Sequence, residues 1–263
     1  MYVEEKLRGD VLTWTIRRPG RFNALGTSIG DELAQKIDDL KFELKGRDGP
    51  RVLVLTASPL KAKNDIIWIA GGDLKELSHL SSPQQGKVYA STLNYVGQAL
   101  EQIPIPVITQ IHGSAIGGGA ELALFGDIRL GTIDAHFVFK QLEVGLAPGY
   151  GGTQRLVDLV GLGKAQKWLF LQERVDPHEL LANGVLHEVV QTFEELDRKT
   201  NEVATKLRNL NHHGIKQLKK MFLNARRSDL GKSYGREIDL FKDLWMKPQH
   251  AKFLEKYVEK PRD

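Results

Sequence analysis

The sequence predicts an α/β fold built on a mostly parallel sheet, and two observations lead to this prediction. Apolar runs rich in β-branched residues alternate with helical patterns as far as Gly151, which is typical of strand–helix–strand units. The runs at 51–57 and 104–113 are apolar without alternation, as strands buried on both faces of a parallel sheet are. The chain has 263 residues, of which 41% are apolar, so it can bury a full core in one large domain or two small ones.

The first elements follow in chain order. The β-branched run VLTWTI at 11–16 predicts a strand that ends at the turn RRPG. From Thr27 to about Leu44 apolar residues recur at steps of three and four, which predicts a helix. The apolar run at 51–57 predicts a buried strand, and 58–69 is expected to be a long connection. A further helix is predicted from Pro83 to Gln102.

The middle of the chain continues the alternation. A buried strand is predicted at 104–113, after two prolines, and the segment 116–125 begins with glycines and turns helical. The run DIRLGT at 127–132 predicts another strand, and 135–146 has room for a short one. These elements complete the α/β part of the prediction.

After Gly151 the patterns are helical, and GLG and NG mark the turns between helices. The last forty residues are also expected to be helical. We therefore divide the chain into an α/β core at 1–200 and a helical C-terminal region at 201–263.

Composition excludes several classes of protein. Charged residues make up 27% of the chain and the net charge is +4, but no basic cluster is interleaved with aromatic residues, so we expect no nucleic acid partner. No apolar run approaches the roughly 20 residues of a membrane span. The chain has no cysteine, which excludes disulfides and thiolate chemistry, and its first residues carry no apolar signal core. We expect a cytoplasmic protein.

Two glycine-rich corners are the strongest functional signal. The runs 70–73 (AGGD) and 117–121 (GGGAE) each follow an apolar strand and precede a helix, where the first N–H groups have no partner within the helix. Glycine lets an oxygen atom come close to such groups. Either run alone is explained by a tight corner, but two side by side could direct two donors at one carbonyl oxygen, as in an oxyanion hole. Neither run has the spacing of a dinucleotide-binding or phosphate-binding loop.

Five sequence blocks carry a family resemblance. They are RPGRFNAL, IAGGDLKEL, HGSAIGGGAELALFGDIRLGT, LAPGYGGTQRLVDLVG and FLEKYVEK. In type and order they resemble the motifs of the enoyl-CoA hydratase/isomerase family, the crotonases, and they extend over almost the whole chain.

The resemblance implies a spiral of repeated ββα units with a helical C-terminal trimerisation region, and hence a homotrimer or a hexamer made of two trimers. It implies an acyl-CoA thioester as the substrate, with no tightly bound cofactor. At the matched positions, the amides of Gly72 and Gly118 would form the oxyanion hole. Glu121 matches one of the two catalytic glutamates of the family, and burial in its apolar segment would raise its pKa.

The resemblance also implies a binding surface for coenzyme A. The matched positions for its adenine and pantetheine portions are Arg21, Asn23, Ala24, Ala70 and Gly71. Phe253 and Lys256 match tail residues that reach the coenzyme A of a neighbouring subunit, where a lysine suits a phosphate.

The second catalytic glutamate of the family is missing at its expected position. The ungapped register places it at Gln141, and Glu143 lies two residues later. An amide orients water but does not exchange a proton at neutral pH. Either the loop shifts so that Glu143 restores a pair of carboxylates, or Gln141 replaces the acid and leaves Glu121 alone.

The segment 57–73 is several residues longer than the matching loop of the family and contains Ile66, Ile67 and Trp68. It could shape the acyl pocket as a lid. It could equally be a surface excursion whose tryptophan packs on the core.

We expect a hydratase-type lyase that stabilises a thioester enolate. The alternatives are an isomerase or an acyl-CoA decarboxylase that uses one carboxylate, and a non-catalytic acyl-CoA-binding homologue. No histidine–carboxylate pattern predicts a metal, and no G-x-S-x-G elbow predicts a nucleophilic serine.

Overall fold

The computed structural model describes residues 1–46, 49–226, 238–239, 241–242, 245 and 248–256. The strands are β1 (Val3–Arg8), β2 (Val11–Ile16), β3 (Val52–Ala57), β4 (Leu60–Ala62), β5 (Asp65–Ile69), β6 (Val107–Ile111), β7 (Ser114–Ile116), β8 (Ile128–Thr132), β9 (Phe137–Val138), β10 (Arg174–Val175) and β11 (Glu188–Val190). The α-helices are α1 (Thr27–Glu43), α2 (Leu74–Leu77), α3 (Pro83–Gln102), α4 (Gly118–Ala123), α5 (Gly152–Val160), α6 (Leu162–Leu171), α7 (Pro177–Ala182), α8 (Phe193–Arg208), α9 (His212–Arg226) and α10 (Pro248–Leu254). Short 3-10 helices cover Pro19–Arg21 and Leu142–Val144.

The strands form two sheets. The six-stranded sheet has the order β1-β2-β3-β6-β8-β11, and every neighbouring pair in it is parallel except β1 with β2. The five-stranded sheet has the order β10-β9-β7-β5-β4, with parallel pairs in its centre and an antiparallel strand at each edge. The larger core cluster includes Trp14 of the first sheet and Trp68 of the second.

The chain winds as a spiral of ββα units. Three successive turns each give one strand to the six-stranded sheet, one to the five-stranded sheet, and then a helix: β3, β5 and α3; β6, β7 and α4; β8, β9 and α5. This confirms the predicted α/β class and the ββα repeat. The division of the chain at residue 200 stays a prediction.

Several local predictions are confirmed almost to the residue. Strand β3 is buried at all six positions because both faces of the sheet are covered there: Val52 and Val54 pack in a cluster with residues of α8, and Leu53 and Leu55 pack in the larger core. Helix α3 begins at Pro83, where Ser82 and Gln85 form a capping box that satisfies the first N–H groups. Helix α1 places its buried residues toward the core at the predicted spacing.

The prediction of a connection at 58–69 is wrong. Strands β4 and β5 form an antiparallel hairpin there, with Leu60 opposite Ile67, and β5 then joins the centre of the second sheet. Trp68 is fully buried, so the added residues form a surface hairpin whose second strand packs inward. The β-branched and aromatic residues at 66–69 suit a strand, and the pairing of Ile67 and Ile69 with the distant strand β7 fixes them as one.

The prediction of helices alone after Gly151 is incomplete. Strands β10 and β11 contain two and three residues, too few for a periodic pattern to show. Helices α9 and α10 lie in the last part of the chain, but residues 227–237, 240, 243–244, 246–247 and 257–263 of the predicted helical tail lie outside the described residues. The end of the block FLEKYVEK is among them.

No helix within the described residues combines the length and the apolar character needed to cross a membrane.

We predict that Gly97→Ala destabilises the fold. Gly97 lies on the buried face of α3, and an added Cβ would sit 2.5 Å from the ring of Phe125. Overpacking of this kind costs about 1–3 kcal/mol and outweighs the gain of about 1 kcal/mol from replacing a helical glycine. Urea denaturation measures the difference in the free energy of unfolding.

The matched control is Gly163→Ala on α6, where no atom of the part of the chain that the structure describes would meet the new Cβ within 4 Å. We expect its stability to be unchanged or slightly higher. Equal effects at the two positions would contradict the packing argument.

Candidate active site

A cavity of about 300 Å³ lies between the two glycine corners and the loop that precedes α5. Its apolar lining comes from α2, from the strand end at Ile116, from the loop around Leu146 and from the C-terminal residues Phe241 and Phe253. Its polar side chains are those of Tyr89, Glu121, Lys140, Gln141, Glu143 and Tyr150. A cavity that is mostly apolar with a few converging polar groups is typical of a small-molecule site.

Two backbone N–H groups in this lining have no acceptor. At the first corner, Leu25 N donates to Gly71 O at 2.6 Å and Asp73 N donates to Leu25 O at 3.0 Å. The residues before and after Gly72 are therefore hydrogen-bonded to Leu25, and the N–H of Gly72 lies between these two bonds. At the second corner, Gly118 begins α4. Within the described part of the chain, the N–H groups of Gly72 and Gly118 donate no hydrogen bond.

The two corners are in contact, and only glycine permits it. Gly71 has a φ of +92°, and a Cβ there would lie 2.7 Å from Ile116 O and 3.4 Å from Gly118 N. A Cβ on Gly119 would lie 2.4 Å from Ile69 O. The backbone of each corner therefore occupies the space that a side chain of the other would need.

Glu121 is buried within α4, with 1% of its surface exposed. Its Oε2 accepts hydrogen bonds from Tyr150 N at 2.8 Å and Gly152 N at 3.1 Å, and its Oε1 accepts one from Gln141 Nε2 at 2.9 Å. Burial raises the pKa of Glu121 above its ordinary value of 4.5, and these N–H donors partly oppose the rise because they favour the ionised form.

The structure brings Gln141 to Glu121 and leaves Glu143 at the rim. Gln141 precedes the 3-10 helix Leu142–Val144, and its amide points at the buried carboxylate. The side chain of Glu143 is 48% exposed and pairs with Lys140 Nζ at 2.5 Å. The amide oxygen of Gln141 is buried and has no hydrogen-bond partner among the described residues. Of the two arrangements considered from the sequence, this geometry is the one with a single buried carboxylate.

Three of the residues predicted to hold the adenine and pantetheine portions lie near the first corner. Asn23 is fully buried, and its side-chain amide donates to Ser58 O at 2.8 Å and Trp68 O at 2.9 Å. Its side chain therefore holds the hairpin, while its backbone N–H donates to Arg18 O at 3.1 Å. Arg21 lies on an exposed surface groove, and Ala24 is 7% exposed.

The other predicted coenzyme A residues fall into two groups. Ala70 and Gly71 line the cavity. Phe253 on α10 lines the cavity of its own chain, and the Nζ of Lys256 lies 5.4 Å from the centre of its ring, a cation–π contact. The roles of all seven residues in binding coenzyme A stay predictions.

Sequence reasoning missed Tyr89, Lys140 and Tyr150. Tyr150 had a local signal, because a large aromatic side chain stands between glycines in PGYGG. Tyr89 had none, since it reaches the cavity from the second turn of α3.

Within the described residues, no group of three or more histidine, aspartate or glutamate side chains is placed to hold a metal ion.

Comparisons with known proteins agree with this fold. The sequence profile of the family described as enoyl-CoA hydratase/isomerase matches residues 6–263. The chain is 28% identical to the short-chain-enoyl-CoA hydratase of Clostridium acetobutylicum over 252 residues, which cover 96% of this chain and 92% of the relative. It is 28% identical to the ethylmalonyl-CoA decarboxylase of Xenopus laevis over 232 residues, covering 88% and 74%. The crystal structure of an enoyl-CoA hydratase from Bacillus anthracis superposes with a TM-score of 0.79 at 26% identity, covering 98% of this chain and 91% of that one.

We predict that Glu121→Gln raises stability at neutral pH. Burial raises the pKa of Glu121, so the folded state binds a proton more tightly than the unfolded state does. Stability is therefore lost as the pH rises from 4.5, the ordinary value, through the raised pKa. A glutamine removes this cost, and a flipped Gln141 amide keeps the hydrogen bonds satisfied.

Urea denaturation at a series of pH values tests this expectation. The excess stability of the variant over the wild type should vanish below pH 4.5, where both side chains are neutral. The half-exposed Glu143→Gln serves as the control, and we expect little change from it. A stability difference that does not depend on pH would contradict the argument.

Proposed function

This chain belongs to the enoyl-CoA hydratase/isomerase family and is an acyl-CoA-processing enzyme of the hydratase type, and we propose that it adds water to the α,β double bond of an enoyl-CoA thioester. The observation that carries the proposal is the pair of unpaired N–H groups at Gly72 and Gly118, which share one cavity with the buried Glu121.

The two N–H groups would stabilise the negative charge on the thioester oxygen. When water attacks Cβ, the electron pair of the double bond moves toward the carbonyl and an enolate forms. Backbone donors fixed in advance stabilise such a charge, and each donor is worth about 3–4 kcal/mol in comparable sites. Gly118 is buried and Gly72 is half-buried. Backbone hydrogen bonds of the neighbouring residues Gly71, Asp73 and Gly117 hold both corners, so the donors need little reorganisation during the reaction.

Glu121 would supply and recover the proton. As an ionised base it takes a proton from the attacking water, and the hydroxide oxygen bonds to Cβ. The resulting carboxylic acid then returns the proton to Cα and the enolate collapses, so that one water has been added in total. The raised pKa suits a group that works in both directions. Gln141 holds the other carboxylate oxygen in place at 2.9 Å.

A second reaction is favoured by one specific observation, the neutral Gln141 where the family has a second glutamate. A substrate carboxylate beside Glu121 would then meet an amide at position 141 and not a second carboxylate there. In a decarboxylation the bond from Cα to the carboxylate breaks, carbon dioxide leaves, and the electron pair forms the same enolate. A protonated Glu121 would give its proton to Cα. The Xenopus laevis relative is named for a decarboxylase activity of this type.

Two assays separate these reactions. Loss of the enoyl absorbance of crotonyl-CoA reports hydration, and carbon dioxide release from ethylmalonyl-CoA reports decarboxylation. We expect hydration to be the faster reaction. Decarboxylation without hydration would select the second reaction, and tight binding of both thioesters without turnover would overturn both.

We also propose that the protein acts in the cytoplasm as a homotrimer or as a hexamer of two trimers. Exposed apolar side chains on α6, where Leu162 is 61% and Phe170 is 67% exposed, support burial against other subunits. Light scattering after size-exclusion chromatography measures the number of subunits.

We predict that Gly118→Ala lowers the rate of crotonyl-CoA hydration far more than Gly72→Ala does. Both variants keep the N–H group, so only the new methyl differs. At Gly118 it would lie 2.1 Å from the ring of Tyr150, whereas at Gly72 the nearest atoms lie at 3.2–3.4 Å. A displacement of about 1 Å at such a site costs on the order of 10²-fold in rate. Steady-state kinetics with crotonyl-CoA gives the comparison, and equal losses would count against the steric argument.

We predict that Gln141→Glu increases the rate of hydration. A second carboxylate 2.9 Å from Glu121 would share a proton with it and act as an acid, and general acid–base groups contribute about 10²–10⁴-fold. The control Gln84→Glu makes the same chemical change on the exposed first turn of α3. If Gln141→Glu left the rates of hydration and decarboxylation unchanged, the idea that this position selects the reaction would be wrong.

A further inference from the structure

Tyr89 and Tyr150 touch both glycine corners, and the proposed chemistry uses neither of them. Tyr89 is 3% exposed and Tyr150 is 6% exposed, so both phenols are part of the core and of the cavity wall. Their ring centres lie 6.4 Å apart at an angle of 49°. A pair of rigid aromatic side chains at this place connects elements that are distant in the sequence.

Tyr150 contacts the second corner and the carboxylate. Its N–H donates to Glu121 Oε2 at 2.8 Å. Its ring lies so close to Gly118 that a Cβ on that residue would be 2.1 Å from ring atom Cε2. The ring therefore limits how far the N–H of Gly118 can move away from the cavity.

Tyr89 contacts the first corner. Its hydroxyl accepts a hydrogen bond from Asp73 N at 3.2 Å and donates one to Leu25 O, the carbonyl that also receives the N–H of Asp73. These groups flank Gly72 on both sides. A Cβ on Gly72 would lie 3.2 Å from the Tyr89 hydroxyl and 3.4 Å from the Tyr150 hydroxyl.

Both hydroxyl groups therefore meet at Gly72, beside its Cβ position, and complete the connection between the corners. A phenol has one hydrogen to donate, and that of Tyr89 is directed at Leu25 O. Burial raises the pKa of both phenols, so both stay neutral and keep these hydrogen atoms across the ordinary pH range.

We propose that Tyr150, anchored by Tyr89, is a positioning residue that fixes the N–H groups of Gly72 and Gly118 relative to each other and to Glu121. A glycine backbone can adopt many conformations, so contacts from other residues are needed to fix the distance between the two donors. The buried hydroxyl pair and the ring contact at Gly118 supply it. This inference rests on the proposed oxyanion chemistry of the same site.

The test uses Tyr150→Phe, Tyr89→Phe and the double variant, which keep the rings and remove the hydroxyl groups. We expect each single variant to lose about tenfold in kcat for crotonyl-CoA hydration, with KM changed less than about threefold, because the donors are misplaced while the binding surface remains. The double variant should lose about as much as the worse single one, since the hydroxyls act as one unit.

The control is Tyr95→Phe, a change on the same helix as Tyr89. The Tyr95 hydroxyl donates a hydrogen bond to Asp38 on the exposed surface, and Tyr95 is not among the residues described as lining the cavity. We expect its kcat and KM to equal those of the wild type. Thermal denaturation of all variants separates a loss of folded protein from a loss of rate.

A direct readout comes from the infrared carbonyl stretch of bound butyryl-CoA labelled with carbon-13 at the thioester carbon. This saturated thioester is not hydrated, and its carbonyl reports the strength of the two donors. We expect a shift to lower frequency in the wild type that becomes smaller in Tyr150→Phe and Tyr89→Phe. A wild-type shift that persists unchanged in both variants, with unchanged kcat, would overturn the positioning role alone. An unshifted carbonyl in the bound wild type would overturn the proposed function together with it.

Discussion

The site depends on one steric constraint, the direct contact of two backbone corners without side chains between them. Strands β5 and β7 are parallel neighbours, with Ile69 opposite Ala115, and each ends just before a glycine run. Chain segments that follow adjacent parallel strands emerge at the same edge of the sheet, so the corners have to meet. Glycine is what allows the meeting, because a Cβ on Gly71 or Gly119 would come within 2.7 Å of a carbonyl oxygen on the other corner. The unpaired N–H groups of Gly72 and Gly118 follow from this contact.

Glu121 has a structural task at the same atoms for which we propose a chemical one. Its Oε2 accepts hydrogen bonds from the N–H groups of Tyr150 and Gly152, at the start of α5. This helix has no side-chain cap of its own, because its N-cap residue is Gly151. A carboxylate is well suited to a helix N-terminus, but burial opposes its charge. The fold therefore retains a carboxyl group whose two protonation states are closer in free energy than they would be in water, as acid–base catalysis requires.

How far the sequence predicts this structure depends on the range of the interactions involved. Helices α1 and α3 are predictable because apolar spacing and capping are local signals. Strand β3 is predictable because a short uninterrupted apolar run is typical of a buried strand. The strands of the hairpin β4–β5 are not predictable from the local sequence, because β5 is fixed by pairing with β7, which lies some fifty residues further along the chain. The directions in which the Gln141 and Glu143 side chains point are not predictable either, since they depend on where one short 3-10 helix begins after β9. Tyr89 enters the site only through the packing of α3 on the spiral.

Glu121, the buried carboxyl group of the cavity wall, links the two reactions proposed for this site. In the proposed hydration Glu121 starts ionised and must take a proton from water, whereas in the proposed decarboxylation it starts protonated and must give its proton to Cα. The amide of Gln141 donates to Glu121 Oε1 and favours the ionised form, and so do the N–H groups of Tyr150 and Gly152. Burial works in the opposite direction. Burial outweighs these donors, since the pKa of Glu121 is raised, but three donors on one carboxylate keep its ionised form accessible. We propose that this balance lets Glu121 serve as the base in the addition of water, and that Gln141, the residue that departs from the family pattern, contributes one of the three donors.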